Sequence, residues 1–294
     1  MTTRNLSGFF LFPIGLLFFA LSDATAKHLM VVYTAPLLLW ARYAIQFSFL
    51  MTVVVPRRGR NVLATSRPWM LLLWGSLQLC GTLLGLCAFR ILPLAETTAL
   101  IFVTPMLVSL LAGPVLGEKI RLRNWLATIL GFIGVLLIAR PGGDVDGAGV
   151  IFALSAALCS SLYQVLTRKL SVSEPPMRQF FYLVLVGLIL MSFFLPTFWT
   201  DKMPSLTQGL LILVFGFCGG VGHLLLIRAY HESPASRLAP LLYIQMIWAM
   251  LLGWLIFDHF PDHLSILGML VIGGAGTFLV LENRKSRLQA EMPK

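Results

Sequence analysis

The chain has 294 residues, of which 58% are hydrophobic and only 12% charged, with a formal net charge of +10. Soluble domains run at roughly 45–50% apolar and about 25% charged, so this chain carries more apolar surface than a water-soluble core could bury, and lipid is the solvent it suits. The positive charge does not point to nucleic acid, because Lys and Arg sit in short connections between apolar runs rather than on a basic soluble module.

Taken in chain order, ten runs meet the roughly 17–25 apolar residues that a helix needs to cross a hydrocarbon core of about 30 Å. They cover residues 6–26, 34–55, 69–91, 95–116, 124–140, 148–166, 179–198, 207–230, 235–257 and 264–281. The first run is long enough to span and flows into the second, which argues against a cleaved leader. Breaks fall at Pro56-Arg57-Arg58-Gly59, at Pro141-Gly142-Gly143, at Pro175-Pro176 and at Pro261. Connections this short make neighbouring helices antiparallel. Cys80, Cys87, Cys159 and Cys218 all lie inside apolar runs and read as packing residues, with neither disulfide nor metal implied.

Basic residues set the orientation. The N-terminus and the even-numbered connections carry seventeen Lys and Arg, whereas the odd-numbered ones carry four, namely Lys27, Arg90, Arg140 and Lys202. The positive-inside rule then puts both termini in the cytoplasm.

An internal repeat is the most informative feature. An offset of 141 pairs Gly8 with Gly149, Leu29 with Leu170, Gly81 with Gly222, Ala88 with Ala229 and Phe89 with Tyr230. An offset of 140 then pairs Ala95 with Ala235, Met106 with Met246, Glu118 with Asp258 and Gly134 with Gly274. Five spans per copy is an odd number, so the second copy enters the membrane from the other side. The expected architecture is an all-α integral membrane protein of ten transmembrane helices, with one five-helix repeat in residues 1–140 and an inverted one in residues 141–294.

The stretch 94–141 has Pro105 in mid-helix, the turn Leu116-Gly117-Glu118 and the run Gly131 to Ile138 after it; with Ser22-Asp23-Ala24, Lys27 and Arg42, it resembles the EamA-type branch of the drug/metabolite transporter superfamily. The second-half motif departs from the pattern, with Asp258 where Glu is usual and no proline equivalent to Pro105. The resemblance implies a central cavity lined by spans one to four and six to nine, with spans five and ten peripheral. It implies a bacterial inner-membrane secondary carrier, exporting amino acids or related compounds. The alternatives it leaves are an uptake permease for a metabolite such as riboflavin or S-adenosylmethionine, and a metallophore exporter. A homodimer is compatible with it.

Ionisable groups inside a bilayer are costly unless paired or functional. Asp23 in span one and Arg42 in span two lie within about two turns of the same depth, so a salt bridge between them is expected, serving as a hairpin clamp or as a gating and proton-coupling pair. Asp23 aligns with the neutral Gln164 in the second copy and reads as the one mid-span carboxylate. For the substrate, neutral polar and aromatic groups near the midplane are the candidates: Gln78, Thr104, Tyr243 and Gln245, with Tyr163 and His223 nearer the cytoplasm. Tyr243 and Gln245 are two positions apart, so they face different ways. Trp40, Trp74 and Trp248 lie deeper than the interfacial belt that accounts for Trp69, Trp125 and Trp199, and Trp248 joins the substrate candidates. Helix-to-helix hydrogen bonding and core packing explain any one of these equally well.

Gly81 and Gly85, and Gly216, Gly219, Gly220 and Gly222, let spans three and eight approach neighbours closely, as moving gates or as tight static packing. Asp258, His259, Asp262 and His263 have ligand-type side chains, and read as a solvated loop rather than a metal site. An enzyme would need a nucleophile or metal cluster, yet no HExxH, GxSxG or paired-aspartate motif occurs. A nucleotide-driven pump would need GxxxxGK[ST], and Gly113 to Lys119 has Glu118 where that pattern needs Gly. The expected partners are therefore a small-molecule substrate and the lipid bilayer, with no cofactor and no nucleic acid.

Overall fold

The computed structural model describes residues 4–58, 64–116, 122–139, 145–170, 173–199, 203–232 and 239–291. Gly117 and Glu118, the basic residues Arg60, Lys119, Arg121, Arg140, Lys202, Arg237 and Lys294, and the breaks at Gly59 and 141–143 lie outside them. The described elements are helical: α1 (Arg4–Leu29), α2 (Ala35–Phe49), α3 (Pro68–Ile91), α4 (Leu94–Ile101), α5 (Thr104–Leu116), α6 (Leu122–Ala139), α7 (Gly147–Leu170), α8 (Pro176–Phe198), α9 (Leu206–Glu232), α10 (Ile244–Phe257) and α11 (His263–Glu291). Six candidate spans, in α1, α2, α3, α7, α8 and α9, are long and apolar enough to cross a membrane, and shorter apolar helices cover the fourth, fifth, ninth and tenth runs.

Proline sets several boundaries. It stands at the first helical positions of α2, α3 and α8, where its missing N–H costs nothing and its fixed φ suits the first turn. α2 continues through a π-helical stretch, Leu50–Val54, just before Pro56. The fourth run, expected as one helix over 95–116, is instead broken at Phe102 and Val103. Pro105 has no N–H to give the carbonyl of Ile101, and the Thr104 hydroxyl donates to that carbonyl instead, at 2.6 Å. The ninth run also differs from expectation. Its described part opens with a 3₁₀ turn, Ala239–Tyr243, and becomes α10 at Ile244. The offset of 140 matches Tyr243 to Val103, so the two breaks fall at equivalent positions; Pro105 follows the first, whereas Pro240 lies within the 3₁₀ turn of the second.

The helices pack in matched sets. α1 lies on α9 and α3 on α7; α1 touches α10 and α5 touches α7; α3 touches α8 and α2 touches α9; and α2–α8, α4–α10 and α6–α11 form three further pairs. Individual contacts repeat this pattern. A Cβ on Gly75 would meet Val186, and one on Gly216 would meet Ile45. A Cβ on Gly81 would lie 3.5 Å from the Ala156 carbonyl oxygen, and one on Gly222 would lie 3.2 Å from that of Gly15. The offset of 141 converts the first of each pair into the second. Only glycine allows the α1 and α9 backbones this close.

Hydrogen bonds sort the connections onto two ends. At the end that carries the termini, the Thr65 hydroxyl donates to Glu174 at 2.6 Å, and Glu174 pairs with Arg178 at 2.9 Å. At the opposite end, Tyr33 donates to Gln208 at 2.9 Å and Thr34 to the Phe198 carbonyl at 3.3 Å. Large apolar side chains such as Phe193 (79% exposed) and Leu255 (71%) face outward, while Arg42, Gln46, Glu96 and Gln245 are buried. Apolar outside and polar inside is the inversion expected of a bundle in lipid.

Candidate functional site

The interior polar groups come from α1, α2, α3, α7, α9 and α10. Asp23 of α1, half-buried, accepts from Gln245 Nε2 of α10 at 3.4 Å. Arg42 of α2, 8% exposed, does not lie within 4 Å of Asp23. Its guanidinium stands over the ring of Phe215, 5.3 Å from the centroid, and against the bare Cα of Gly219 on α9. The expected Asp23–Arg42 salt bridge is thus not formed. Arg42 is turned toward α9, where glycine leaves room for a guanidinium and an aromatic face attracts it. Opposite charges therefore stand near one another, each held by a different neighbour.

Nearer the terminal end, Trp74 of α3 is stacked on Tyr163 of α7, with centroids 4.8 Å apart and planes at 25°. The Trp74 indole donates to the Thr167 hydroxyl at 2.7 Å. Tyr43, one residue beyond Arg42, is buried with its ring against Gly187 of α8. His223 of α9 lies between Phe19 and Phe180, at 4.8 and 5.5 Å. Gln78 is one turn beyond Trp74 and on its side of α3, half-buried, and donates only to Thr82 of its own helix.

The other sequence candidates stand apart. The Thr104 hydroxyl is engaged by the Ile101 carbonyl and reaches that of Ala157 on α7 at 3.4 Å, so it closes a helix break. Tyr243 points away from Gln245, with its ring 5.8 Å from that of Phe102 and its hydroxyl against Gly276 of α11. Trp248 packs beside Phe12, Leu16 and Ala229, and its indole nitrogen is buried without a partner. Sequence reasoning missed Tyr43, Gln46, Phe180 and Phe215. Tyr43 and Gln46 could have been found from their place beside and one turn beyond Arg42, whereas Phe180 and Phe215 look like any membrane phenylalanine.

Sequence reasoning also missed Glu96. Buried in the first turn of α4, its Oε1 lies 3.2 Å from His259 Nε2, so the 258–263 loop is not merely solvated. A carboxylate inside an apolar run three residues after Pro93 was the available signal. Lys27, read as a loop charge, lies within α1, and its ammonium donates to the carbonyls of Phe89 and Leu92 at the C-terminal end of α3. A cation there complements the helix dipole. Among the described residues, no group of three or more His, Cys, Asp and Glu could hold a metal ion.

The frame of the site is near-symmetric and its chemistry is not. By the offset of 141, Trp74 and Tyr163 correspond to Phe215 and Ser22, and these also meet, the Ser22 hydroxyl donating to the Phe215 carbonyl at 3.2 Å. Asp23 and Arg42, however, correspond to Gln164 and Leu183.

The sequence model of the EamA-like transporter family matches residues 6–140 and again residues 147–281. The chain is 26% identical to an S-adenosylmethionine uptake transporter of Rickettsia bellii over 281 residues, covering 94% of this chain and 96% of that one. It is 27% identical to a riboflavin transporter of Vibrio cholerae, covering 92% and 91% of the two chains. It is 27% identical to a pseudopaline exporter of Pseudomonas aeruginosa, covering 90% and 93%. A solved crystal structure shares the fold with a TM-score of 0.69 at 19% identity, over 96% of this chain and 99% of that one.

Proposed function

We propose that this chain, which belongs to the EamA-like transporter family, is a secondary carrier for small amphipathic metabolites that join a zwitterionic amino-acid head to a flat ring. The observation that carries this reading is the separation of Arg42 from Asp23. A cation and an anion that do not neutralise each other offer one partner to a carboxylate and one to an ammonium. The Trp74–Tyr163 pair, nearer the terminal end of the bundle, supplies the aromatic chemistry that suits a planar group. S-adenosylmethionine, which the Rickettsia bellii relative is named for, has both halves of this chemistry. A second reading, a flat vitamin resting on the aromatic pair alone, is favoured by the riboflavin relative.

The carrier is built as two inverted five-helix repeats, residues 1–140 and 141–294, giving ten transmembrane helices. The matched packing pairs and the two matches of the family model support this. It lies in a bacterial inner membrane with both termini cytoplasmic, supported by the bias of seventeen basic residues to four. A reporter fused after Lys294 that is active only in the periplasm would overturn that orientation. Outward and inward carriers both occur among the relatives, so flux is to be measured both ways.

Reconstituted protein is tested with radiolabelled S-adenosylmethionine, tryptophan, riboflavin and glucose 6-phosphate. The zwitterionic ring compounds are expected to move and the sugar phosphate not, since Arg42 is accompanied by the Asp23 carboxylate, which repels a dianion. Glucose 6-phosphate moving fastest, or S-adenosylmethionine flux unaltered in Arg42→Gln and Asp23→Asn, would sink the reading.

A further inference from the structure

At the end opposite the termini, Glu96 is 8% exposed and its two oxygens are treated differently. Oε1 is 3.2 Å from His259 Nε2, while Oε2 is buried with no hydrogen-bond partner. The His259 side chain is 45% exposed, so one side of the pair reaches solvent and the other ends in the protein. The Glu96 carboxyl thus has one oxygen engaged by an imidazole that reaches solvent and one that no described donor serves.

The pair also spans the two halves. Glu96 stands on α4, and His259 follows the last turn of α10, whose end is fixed by the left-handed Asp258 and by the bond from the His259 N–H to the Gly253 carbonyl. Among the described residues, the charged groups offered by the elements around α4 are few. α1 brings Lys27, within electrostatic range of Glu96 but bonded to two carbonyls of the α3 end, and the exposed His28. α3 brings Arg90, which is exposed. α7 is preceded by Asp146, which accepts from its own Ala148 N–H, and α11 by Asp262, which accepts from Ser265 N–H, with His263 beside it. α10 ends at Asp258, and α6 brings none to this end.

We propose that Glu96 is a proton-binding site that couples transport to proton movement from the face opposite the termini, with His259 as the group that delivers the proton. This rests on the carrier reading above. Solvent protonates the imidazole; the Nε2–H bond breaks as an O–H bond forms on Glu96 Oε1, and the neutral imidazole returns to accept the next proton from water. One proton is bound and no other bond changes. With Glu96 neutral, the charge-assisted tie between α4 and the α10–α11 connection becomes an ordinary hydrogen bond, roughly half as strong, and that end is easier to part. Lys27 sits one turn from Asp23 on α1, so the helix held at this end also carries the substrate site's carboxylate.

The test uses the full chain in liposomes, with S-adenosylmethionine as the probe, the membrane potential clamped to zero and one pH unit across the membrane. The steady-state ratio of probe across the membrane is read, because it does not depend on rate. One proton coupled per substrate makes this ratio about tenfold in the wild type, inward for symport or outward for antiport, and one in Glu96→Gln. In parallel, an infrared pH titration of the same proteoliposomes without probe is expected to show a carboxyl band that is absent in Glu96→Gln and moved in pH in His259→Gln. A wild-type ratio of one with probe entering, a tenfold ratio kept by Glu96→Gln, or no titrating carboxyl band lost in that variant would overturn the proposal. If the probe never enters, the substrate reading fails and the infrared titration decides the proton site alone.

Discussion

Gly219→Ala separates the Arg42 contact from general packing. A Cβ at position 219 would lie 2.7 Å from Arg42 Nε, 2.8 Å from Nη2 and 2.9 Å from Cζ. To recover ordinary contact the guanidinium must move by about 0.7 Å or more. It is the far end of a flexible side chain and can do so, and alanine is favoured over glycine within a helix by about 1 kcal/mol, so the fold should lose nothing. On the carrier reading proposed above, the ligand does lose. A hydrogen bond to a charged group is worth about 1.5–3 kcal/mol net, and a displaced fork should forfeit about 1 kcal/mol of it, roughly fivefold in Kd.

Gly216→Ala, one turn earlier on α9, is the control. There the Cβ would meet Ile45 Cδ1 at 2.7 Å and its Cβ at 2.9 Å, a β-branched side chain fixed to α2. Overpacking of this kind costs about 1–3 kcal/mol. Thermal unfolding of the purified protein in detergent and calorimetric binding of S-adenosylmethionine give the two readouts. Gly219→Ala should melt no lower than wild type and bind about fivefold more weakly, while Gly216→Ala should melt lower. Unaltered affinity in Gly219→Ala, or a lower melting temperature than Gly216→Ala, would refute the reasoning.

Asp258 is the one described non-glycine residue with positive φ, at 51°, and Asp258→Gly should raise stability by about 1 kcal/mol in the same thermal assay; a drop would mean that the carboxylate has a structural partner. Burial pushes the Glu174 carboxyl up, but the Thr65 hydroxyl and then Arg178 outweigh it and hold the group below the usual carboxylate range. The clasp's contribution is thus complete above the unfolded carboxylate value, about pH 4.3, and lost as pH falls through the lower folded value, so wild type and Glu174→Gln should differ in melting temperature at pH 6 and converge only as the pH is lowered through that folded value. Because Asp23 and Arg42 do not touch, exchanging them should not restore the flux lost in Asp23→Asn or Arg42→Gln; recovery in the exchanged protein would re-establish a direct pair.

Helix placement was legible wherever length and apolarity decide it. The run 69–91 differs from Pro68–Ile91 by one residue at its start, because hydropathy locates a span and proline locates its first turn. Continuity was less legible. Pro105 in the fourth run and Pro240 in the ninth were both visible, but they stand at different positions relative to the repeat, so neither by itself showed that the two runs break at equivalent places. Counting residues gives Asp23 and Arg42 their places along the helices, but rotation about the helix axis cannot be counted, and rotation decides that Arg42 meets Phe215 and Gly219 rather than Asp23. Lys27 and Glu96 sat at span ends, where hydropathy cannot tell a solvated charge from one buried against a helix terminus.

The uneven chemistry within a matched frame has a kinetic consequence. Asp23 and Arg42 lie a few residues from the helix ends at one face, Leu29 and Ala35, whereas Trp74 and Tyr163 lie a few residues from Pro68 and Leu170 at the other. On the carrier reading proposed above, a solute arriving from the first side would meet charge before the aromatic pair, and one arriving from the second would meet them in reverse order. If both halves carried the same lining, the two open forms would be mirror equivalents with equal affinity. Here they are not, so half-saturation concentrations measured from the two sides should differ, and salt should weaken capture more strongly from the side that presents the charges first.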